Sequence, residues 1–361
     1  MRRIMKSINV MGVPDNYLRA VEKELQGSIA EVSYHVSNYI NSSRQLVTNQ
    51  KIRSKVAGRE KIAGESIEKK CNIYLPAGYD NDNDEIRYHI MYLLHGVGGN
   101  RYEWLDGSGK TDGNYNICNI FDNLIANGDI EPLIIVFPEG RSSYDWTDRS
   151  FNSEGTNLLG FYYFDYELRY DLIPFIETQY HTYANINDKS PIGITYNRLH
   201  RAIAGLSMGG MQSLNLVLGG YRCDSAVYTE TVSDWRNGLV ETVTTPGMLD
   251  LFAYVGAFSS APTSSDGKLL GATIASSDYR LPLLYITCGD ADGVAYEAGF
   301  VKTVNELYDK AKHNLGDYYR VLMKDGQHNF YVWNNGAYNF ARLSFGNSKD
   351  NGAPYDIDIK L

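Results

Sequence analysis

Apolar and polar residues alternate along this chain in two different rhythms, and the two take turns. Ile29 to Ile40 (I-A-E-V-S-Y-H-V-S-N-Y-I) alternates with period two, as a half-buried strand does. Ile67 to Leu75 repeats that rhythm and is closed by Pro76 and the turn Gly78-Tyr79-Asp80. Tyr88 to Leu94 and Leu133 to Phe137 are near-continuous apolar runs, the pattern of strands covered on both faces. Ala202-Ile203-Ala204, Leu251 to Phe258, Leu283 to Cys288 and Tyr318 to Met323 read as further strands. Between them, Ile117 to Ile125, Phe161 to Tyr180, Met211 to Leu218, Gly299 to Ala311 and Tyr338 to Phe345 suit helices, with Pro174 as a kink or fresh start in the second.

Strands alternating with helices predict an α/β fold, a mostly parallel central sheet of about eight strands with helices on both faces. Residues 1–28 carry charge and little periodicity and read as an N-terminal extension that packs on the domain or frays. Residues 29–346 read as one catalytic-sized domain, and 347–361 as a polar C-terminal tail. Segments near 41–65, 141–159 and 220–248 interrupt the alternation. The last two leave strand ends where sites of such sheets lie, so they are candidate cleft walls.

Composition narrows the partners. The 361 residues are 43% hydrophobic and 21% charged, ordinary for a globular protein. A net charge of −9 argues against nucleic acid or an anionic membrane surface, and no apolar run is long enough to span a bilayer. The start, M-R-R-I-M-K-S, is basic but lacks the apolar stretch and cleavage site of an export signal, so a cytoplasmic protein is expected; a secreted protein whose signal has been removed is the alternative. Cys71, Cys118, Cys223 and Cys288 are widely spaced, form no C-x-x-C, and are expected as free thiols.

The chemistry gathers around Arg201 to Ser213. Gly205-Leu206-Ser207-Met208-Gly209 matches G-x-S-x-G, a tight strand-to-helix turn that lifts a serine hydroxyl clear of its neighbours. The glycines are needed because the turn brings backbone segments too close for side chains. The turn also directs the Met208 N–H at a site where negative charge would develop. A serine needs a base, and of seven histidines His328, just past the last expected strand, is the one on the matching edge. An acid comes from the turn Cys288-Gly289-Asp290-Ala291-Asp292; Asp292 lies further out and is better placed, while Asp290 could cap the turn. The order serine, acid, histidine is that of α/β-hydrolases. His95-Gly96-Val97-Gly98-Gly99 follows the third strand, where a second oxyanion donor belongs. The Val97 N–H is the first choice, and His95 reads as a prop for the loop.

Taken together, H-G-V-G-G-N at 95–100, I-A-G-L-S-M-G-G at 203–210, C-G-D-A-D at 288–292 and G-Q-H-N-F-Y-V-W at 326–333 resemble the feruloyl esterases of the esterase D-like group of α/β-hydrolases. The likeness runs from about Ile67 to Phe345. It implies Ser207 as nucleophile, Asp292 as acid and His328 as base, with Trp333 and Gly96 against the substrate. It implies hydrolysis of feruloyl esters on a plant cell-wall sugar such as an arabinoxylan side chain, with no metal or organic cofactor. Acetyl-sugar esterases and S-formylglutathione hydrolases share this fold and elbow and are the alternative enzyme reading. A non-catalytic carbohydrate-binding protein on the same fold is the alternative of another kind.

Overall fold

The computed structural model describes residues 10–43, 46–47, 58–61, 64–83, 85–152, 155–222 and 244–346, and the backbone of 355–359. Among these residues nine strands form one sheet: β1 (Ser28–Ser37), β2 (Ser66–Leu75), β3 (His89–Leu94), β4 (Leu133–Phe137), β5 (Arg201–Leu206), β6 (Tyr254–Phe258), β7 (Leu281–Gly289), β8 (Leu315–Met323) and β9 (Tyr355–Ile359). Their spatial order is β1-β2-β4-β3-β5-β6-β7-β8-β9. β1 and β2 pair antiparallel, as do β2 and β4, and all other pairs are parallel. The parallel run of β3 and β5 to β8 puts the loops after those strands along one edge, which is what assembles a site from distant residues.

Every residue of β3, β4, β5 and β6 is buried, as their unbroken apolar runs predict. Successive side chains go to opposite faces. From β3, Ile90, Tyr92 and Leu94 join one core and Met91 and Leu93 the other. The second core is closed by α1 (Asn116–Ala126) and by the long C-terminal helix Phe330–Phe345, through Ile117, Ile120, Phe121, Phe340 and Ala341.

The helices depart from expectation in ways with local causes. The segment expected as one helix over 161–180 is α2 (Asn157–Phe161), α3 (Phe164–Glu167), a π-helical turn Leu168–Leu172 and α4 (Ile173–Gln179). Pro174 lacks the N–H that a continuous helix would use, and the wider turn precedes it. Two further helices, α5 (Pro191–Arg198) and α7 (Gly267–Ser276), precede and follow the elbow helix α6 (Met208–Gln212) in the chain. Each starts at a side-chain cap: Ser190 Oγ accepts from Gly193 N at 3.0 Å, and Asp266 Oδ1 accepts from Leu269 N at 2.8 Å. The helix expected over 299–311 is broken into α8 (Lys302–Val304) and α9 (Leu307–Ala311), because Glu306 takes a left-handed conformation with φ 58°. The helix expected from Tyr338 starts at Phe330 instead, capped by Asn329, and is α10.

At the termini, residues from Val10 onward lie against α1 and α10. Met11 N and Val13 N donate to Asn339 and Asn335, and Gly27 N donates to Asp122. The expected tail contains β9, paired parallel to β8, so the sheet has one strand more than expected. Cys71 and Cys288 are buried free thiols and Cys118 is a half-buried one; Cys223 lies outside the described residues, as do 223–243 of the expected 220–248 segment and much of 41–65.

A buried polar network joins β1 and β2 to α3. Glu167 accepts from Lys69 Nζ at 2.9 and 2.7 Å, from Tyr34 OH at 2.6 Å and from Ser142 Oγ at 2.9 Å. One turn on, Asp171 accepts from Tyr39 OH at 2.6 Å. Burial raises the Asp171 carboxyl to about 7; the Tyr39 bond opposes this and the charge of Glu167 adds to it. Its unfolded value is about 3.9, so the folded state holds the proton more tightly. The stability this contributes is fully present below about pH 4 and is lost as pH rises through about 7. Asp171→Asn, which cannot ionise, should therefore flatten the fall in melting temperature between pH 5 and pH 8. Parallel melting-temperature profiles for the two proteins would contradict this.

Candidate active site

β5 runs straight into the elbow. Ser207 sits at φ 50° and ψ −114°, a conformation rarely adopted by residues other than glycine. It is held there from both sides: Ser207 N donates to Phe258 O at 2.9 Å, and Ser207 O accepts from Ala261 N and Met211 N, each at 3.0 Å. The flanking glycines are required by contact. A Cβ at Gly205 would lie 2.4 Å from the Gly209 backbone, and one at Gly209 would lie 2.7 Å from the carbonyl oxygens of Leu94 and His95. The helix after the elbow continues from α6 into a π-helical turn, Ser213–Gly219. Met208 is its first residue, so the Met208 N–H has no acceptor within the helix.

The structure brings together the three side chains that sequence reasoning selected. His328 Nε2 lies 3.1 Å from Ser207 Oγ, and His328 Nδ1 lies 2.8 Å from Asp292 Oδ2. The other carboxylate oxygen of Asp292 accepts from Val294 N at 3.0 Å and Ala295 N at 2.8 Å. Burial opposes ionisation of Asp292, but the His328 and Ala295 hydrogen bonds outweigh it and hold the carboxyl below its ordinary range. Asp292 is thus an anion that fixes the imidazole with Nε2 turned to the serine.

Asp292 meets His328 because two loops are laced together. Asp290 N donates to Met323 O and Ala291 N to Gly326 O, each at 3.0 Å. Gly289 and Gly326 pack backbone to backbone, and a Cβ on Gly289 would come 2.1 Å from Gly326 O. Asp290 is exposed and accepts from Asp325 N at 2.6 Å, so it staples the two turns and is not the partner of His328.

On the other side of Ser207 lies the loop after β3. A Cβ on Gly96 would be 3.2 Å from Ser207 Cβ, so this backbone stands directly against the serine. The Gly96 carbonyl accepts from Gly99 N at 3.2 Å and faces His95 Nδ1 at 2.7 Å. In a trans peptide the next N–H points the opposite way, so the Val97 N–H is turned away from His95. The Gly96 amide itself is taken by Glu103, whose Oε2 accepts from it at 2.7 Å. Gly96 therefore stands against the serine with its amide already taken, so any approach it makes to substrate is by contact and not by hydrogen-bond donation. His95 is a prop, as expected: its ring spans the Gly96 and Glu139 carbonyls. Burial, with Arg141 nearby, pushes its pKa down to about 3, against the two carbonyl contacts, which act the other way.

Trp333, in the first turn of α10, is 7% exposed and belongs to the second core. Its ring meets His328 edge to face at 5.1 Å between centroids and Phe330 at 5.0 Å. Trp104 continues the cluster, 5.6 Å from Phe330. Trp333 thus supports the base from the core side. Among the described residues no group of histidine, cysteine and acidic side chains is arranged to hold a metal.

Residues 66–222 match the family described as "Putative esterase". That span is a little under half of the chain, and the fold is the α/β-hydrolase fold. It is similar to endo-1,4-beta-xylanase Y of Acetivibrio thermocellus, 37% identical over 153 residues, which are 42% of this chain and 12% of that protein. It is also similar to an endo-1,4-beta-xylanase/feruloyl esterase of Xylanibacter ruminicola, 34% identical over 150 residues, 41% of this chain and 17% of that protein. The likeness thus spans less than a fifth of either relative. Among solved structures, the feruloyl esterase module of Clostridium thermocellum complexed with sinapinate matches with a TM-score of 0.56 at 23% identity, covering 92% of each chain. A ferulic acid esterase of Anaeromyces mucronatus matches with a TM-score of 0.57 at 20% identity, covering 91% of this chain and 94% of the other.

Replacement of the acid tests the relay. Asp292→Asn should lower kcat on an ester by roughly three to four orders of magnitude, because the ring loses its orienting anion. Asp290→Asn should stay within about threefold of wild type. The reverse ranking, measured under the same conditions, would move the acid to Asp290.

Proposed function

We propose that this chain is a serine esterase that hydrolyses feruloyl (hydroxycinnamoyl) esters of plant cell-wall polysaccharide through an acyl-enzyme. The observation that carries the reading is the continuous Ser207–His328–Asp292 relay at the end of parallel strands. A hydroxyl within hydrogen-bond reach of an imidazole, itself held by a buried carboxylate, is arranged for nucleophilic attack on a carbonyl.

In the first half-reaction Ser207 Oγ bonds to the ester carbonyl carbon while His328 Nε2 takes its proton. The Met208 and Val97 N–H groups receive the oxyanion. The tetrahedral adduct collapses, the C–O bond to the alcohol breaks, and His328 returns the proton to the leaving oxygen. In the second half a water molecule attacks the acyl-serine, His328 takes and returns its proton, and the acid leaves. Asp292 stays ionised throughout and stabilises the imidazolium. No step in this sequence calls for a metal or an organic cofactor.

The substrate class rests on the relatives. One is a xylanase/feruloyl esterase, and the solved module that matches most of this chain is complexed with sinapinate, a hydroxycinnamate. The alcohol side would be a sugar of arabinoxylan. Imported feruloylated oligosaccharides would suit a cytoplasmic enzyme, and intact arabinoxylan a secreted one.

The test is release of ferulate from methyl ferulate. Wild type should hydrolyse it, and in preference to methyl acetate, while Ser207→Ala should be slower by several orders of magnitude. Equal rates for wild type and Ser207→Ala would end the assignment of the nucleophile. Preference for the acetyl ester would instead favour an acetyl esterase on the same machinery.

A further inference from the structure

The loop from His95 to Gly99 has to hold one amide still, yet it is built from the residues least able to do so. Gly96, Gly98 and Gly99 carry no side chain to restrict them, and Gly98 lies at φ 78°. The loop is instead wrapped around a side chain from the turn that follows it. Glu103 opens a 3-10 turn, Glu103–Leu105, whose start is fixed by Glu103 N donating to Asn100 O at 2.9 Å. Its Oε2 accepts from Gly96 N at 2.7 Å. Gly99 closes over the same oxygen so tightly that a Cβ there would lie 2.0 Å from it. The next residue, Trp104, donates from Nε1 to Leu94 O at 3.0 Å, so the turn grips the last residue of β3 as well. From the far side, Arg141 Nη1 donates to Gly99 O at 2.7 Å.

We propose that Glu103 is a positioning residue for the oxyanion loop: by holding the Gly96 amide it fixes the Gly96–Val97 peptide, and so directs the Val97 N–H at the reacting carbonyl oxygen. The inference rests on the esterase reading given above. The Gly96 carbonyl of that peptide is met by Gly99 N and His95 Nδ1, and the amide on the other side of the same glycine is held by Glu103. Without Glu103, Gly96 gains freedom about its own φ, and the orientation of the Val97 N–H loosens with it. A donor that must be oriented during the reaction loses much of the advantage of one oriented beforehand.

A carboxylate here is not electrostatically neutral toward the reaction. It stands near a site where negative charge develops, which opposes the oxyanion. Burial raises its pKa, and the Gly96 amide, Arg141 and His328 act the other way. An acceptor is what the geometry uses; the charge is not. That distinction makes the role separable from simple electrostatics. Glutamine keeps a carbonyl acceptor in the same place, whereas methionine fills a similar volume without one.

The experiment compares wild type, Glu103→Met and Glu103→Gln on methyl ferulate and on 4-nitrophenyl acetate, whose hydrolysis needs the oxyanion donors but no aromatic acyl pocket. Affinities are measured in parallel for ferulate and for a trifluoromethyl ketone analogue of the feruloyl ester, which forms a tetrahedral adduct with the serine. Glu103→Met should lose about ten- to a hundredfold in kcat with KM within about twofold, and its ketone affinity should fall in step while ferulate binding is unchanged. Glu103→Gln should recover kcat to within about threefold of wild type. Wild-type kcat in a folded Glu103→Met protein would overturn the proposal, as would a Gln variant as impaired as the Met variant. Should Glu103→Met fail to fold, the Gln variant decides alone: a loss beyond tenfold with an unchanged melting temperature refutes an acceptor role. Wild type active on nitrophenyl acetate but not on methyl ferulate would refute the feruloyl reading and leave the Glu103 comparison to be settled on the smaller ester.

Discussion

Ser207 is held in a backbone conformation that a residue with a side chain avoids, and the rest of the site is arranged about that constraint. A left-handed residue of this kind costs about 1–3 kcal/mol and persists only where its surroundings over-determine it. Here they do so through three backbone hydrogen bonds: Ser207 N donates to Phe258 O, and Ala261 N and Met211 N donate to Ser207 O. Gly205 and Gly209 supply the clearance, and Gly209 lets the new helix pass directly over the end of β3. The same close approach that exposes the hydroxyl brings the 95–97 backbone against it. Strain at one residue and the second amide donor are therefore two consequences of one packing arrangement.

The remaining parts come to that point because five parallel strands end on one edge. β5 delivers the serine, β7 the acid, β8 the base and β3 the oxyanion loop, while β6 supplies the carbonyl that pins the elbow. Parallel order alone would leave the loops free to diverge. They are tied in pairs: the loops after β7 and β8 by main-chain bonds from Asp290 and Ala291, and the loop after β3 to the chain beyond β4 through His95 and Arg141. The buried Lys69–Glu167 pair, at 2.7 Å, continues this bracing into β2 and α3, with Lys69 also donating to Arg141 O. Burying charges this way gives little net stability but is costly to disrupt, which suits a frame that has to keep its shape.

Much of this could be read from the chain because it depends on local rules. The unbroken apolar runs of β3 and β4 specify strands buried on both faces, and the small residues around Ser207 specify a turn. The order of Ser207, Asp292 and His328 selects one edge of one sheet. What escaped depended on contacts between distant segments. Pro174 signals a break but not the π-helical turn that precedes it. Ser190-Pro191 and Asp266-Gly267 are short starting signals, overlooked beside the stronger apolar runs. Tyr355-Asp-Ile-Asp-Ile alternates as a strand should, yet its short polar setting reads as a tail until β8 provides an edge. Glu103 had no sequence signal as a support, because nothing in R-Y-E-W shows that the loop before it folds back around the carboxylate. The occupied Gly96 amide is hidden in the sequence for the same reason, since it depends on the loop folding back on Glu103.

The most direct measurement of the central claim is labelling of the intact protein by a fluorophosphonate, followed by mass spectrometry of the digested adduct. The account predicts a single covalent modification, on Ser207, that is abolished when His328 is replaced by alanine. No adduct on the folded wild-type protein, or an adduct on a different serine with Ser207 untouched, would contradict it.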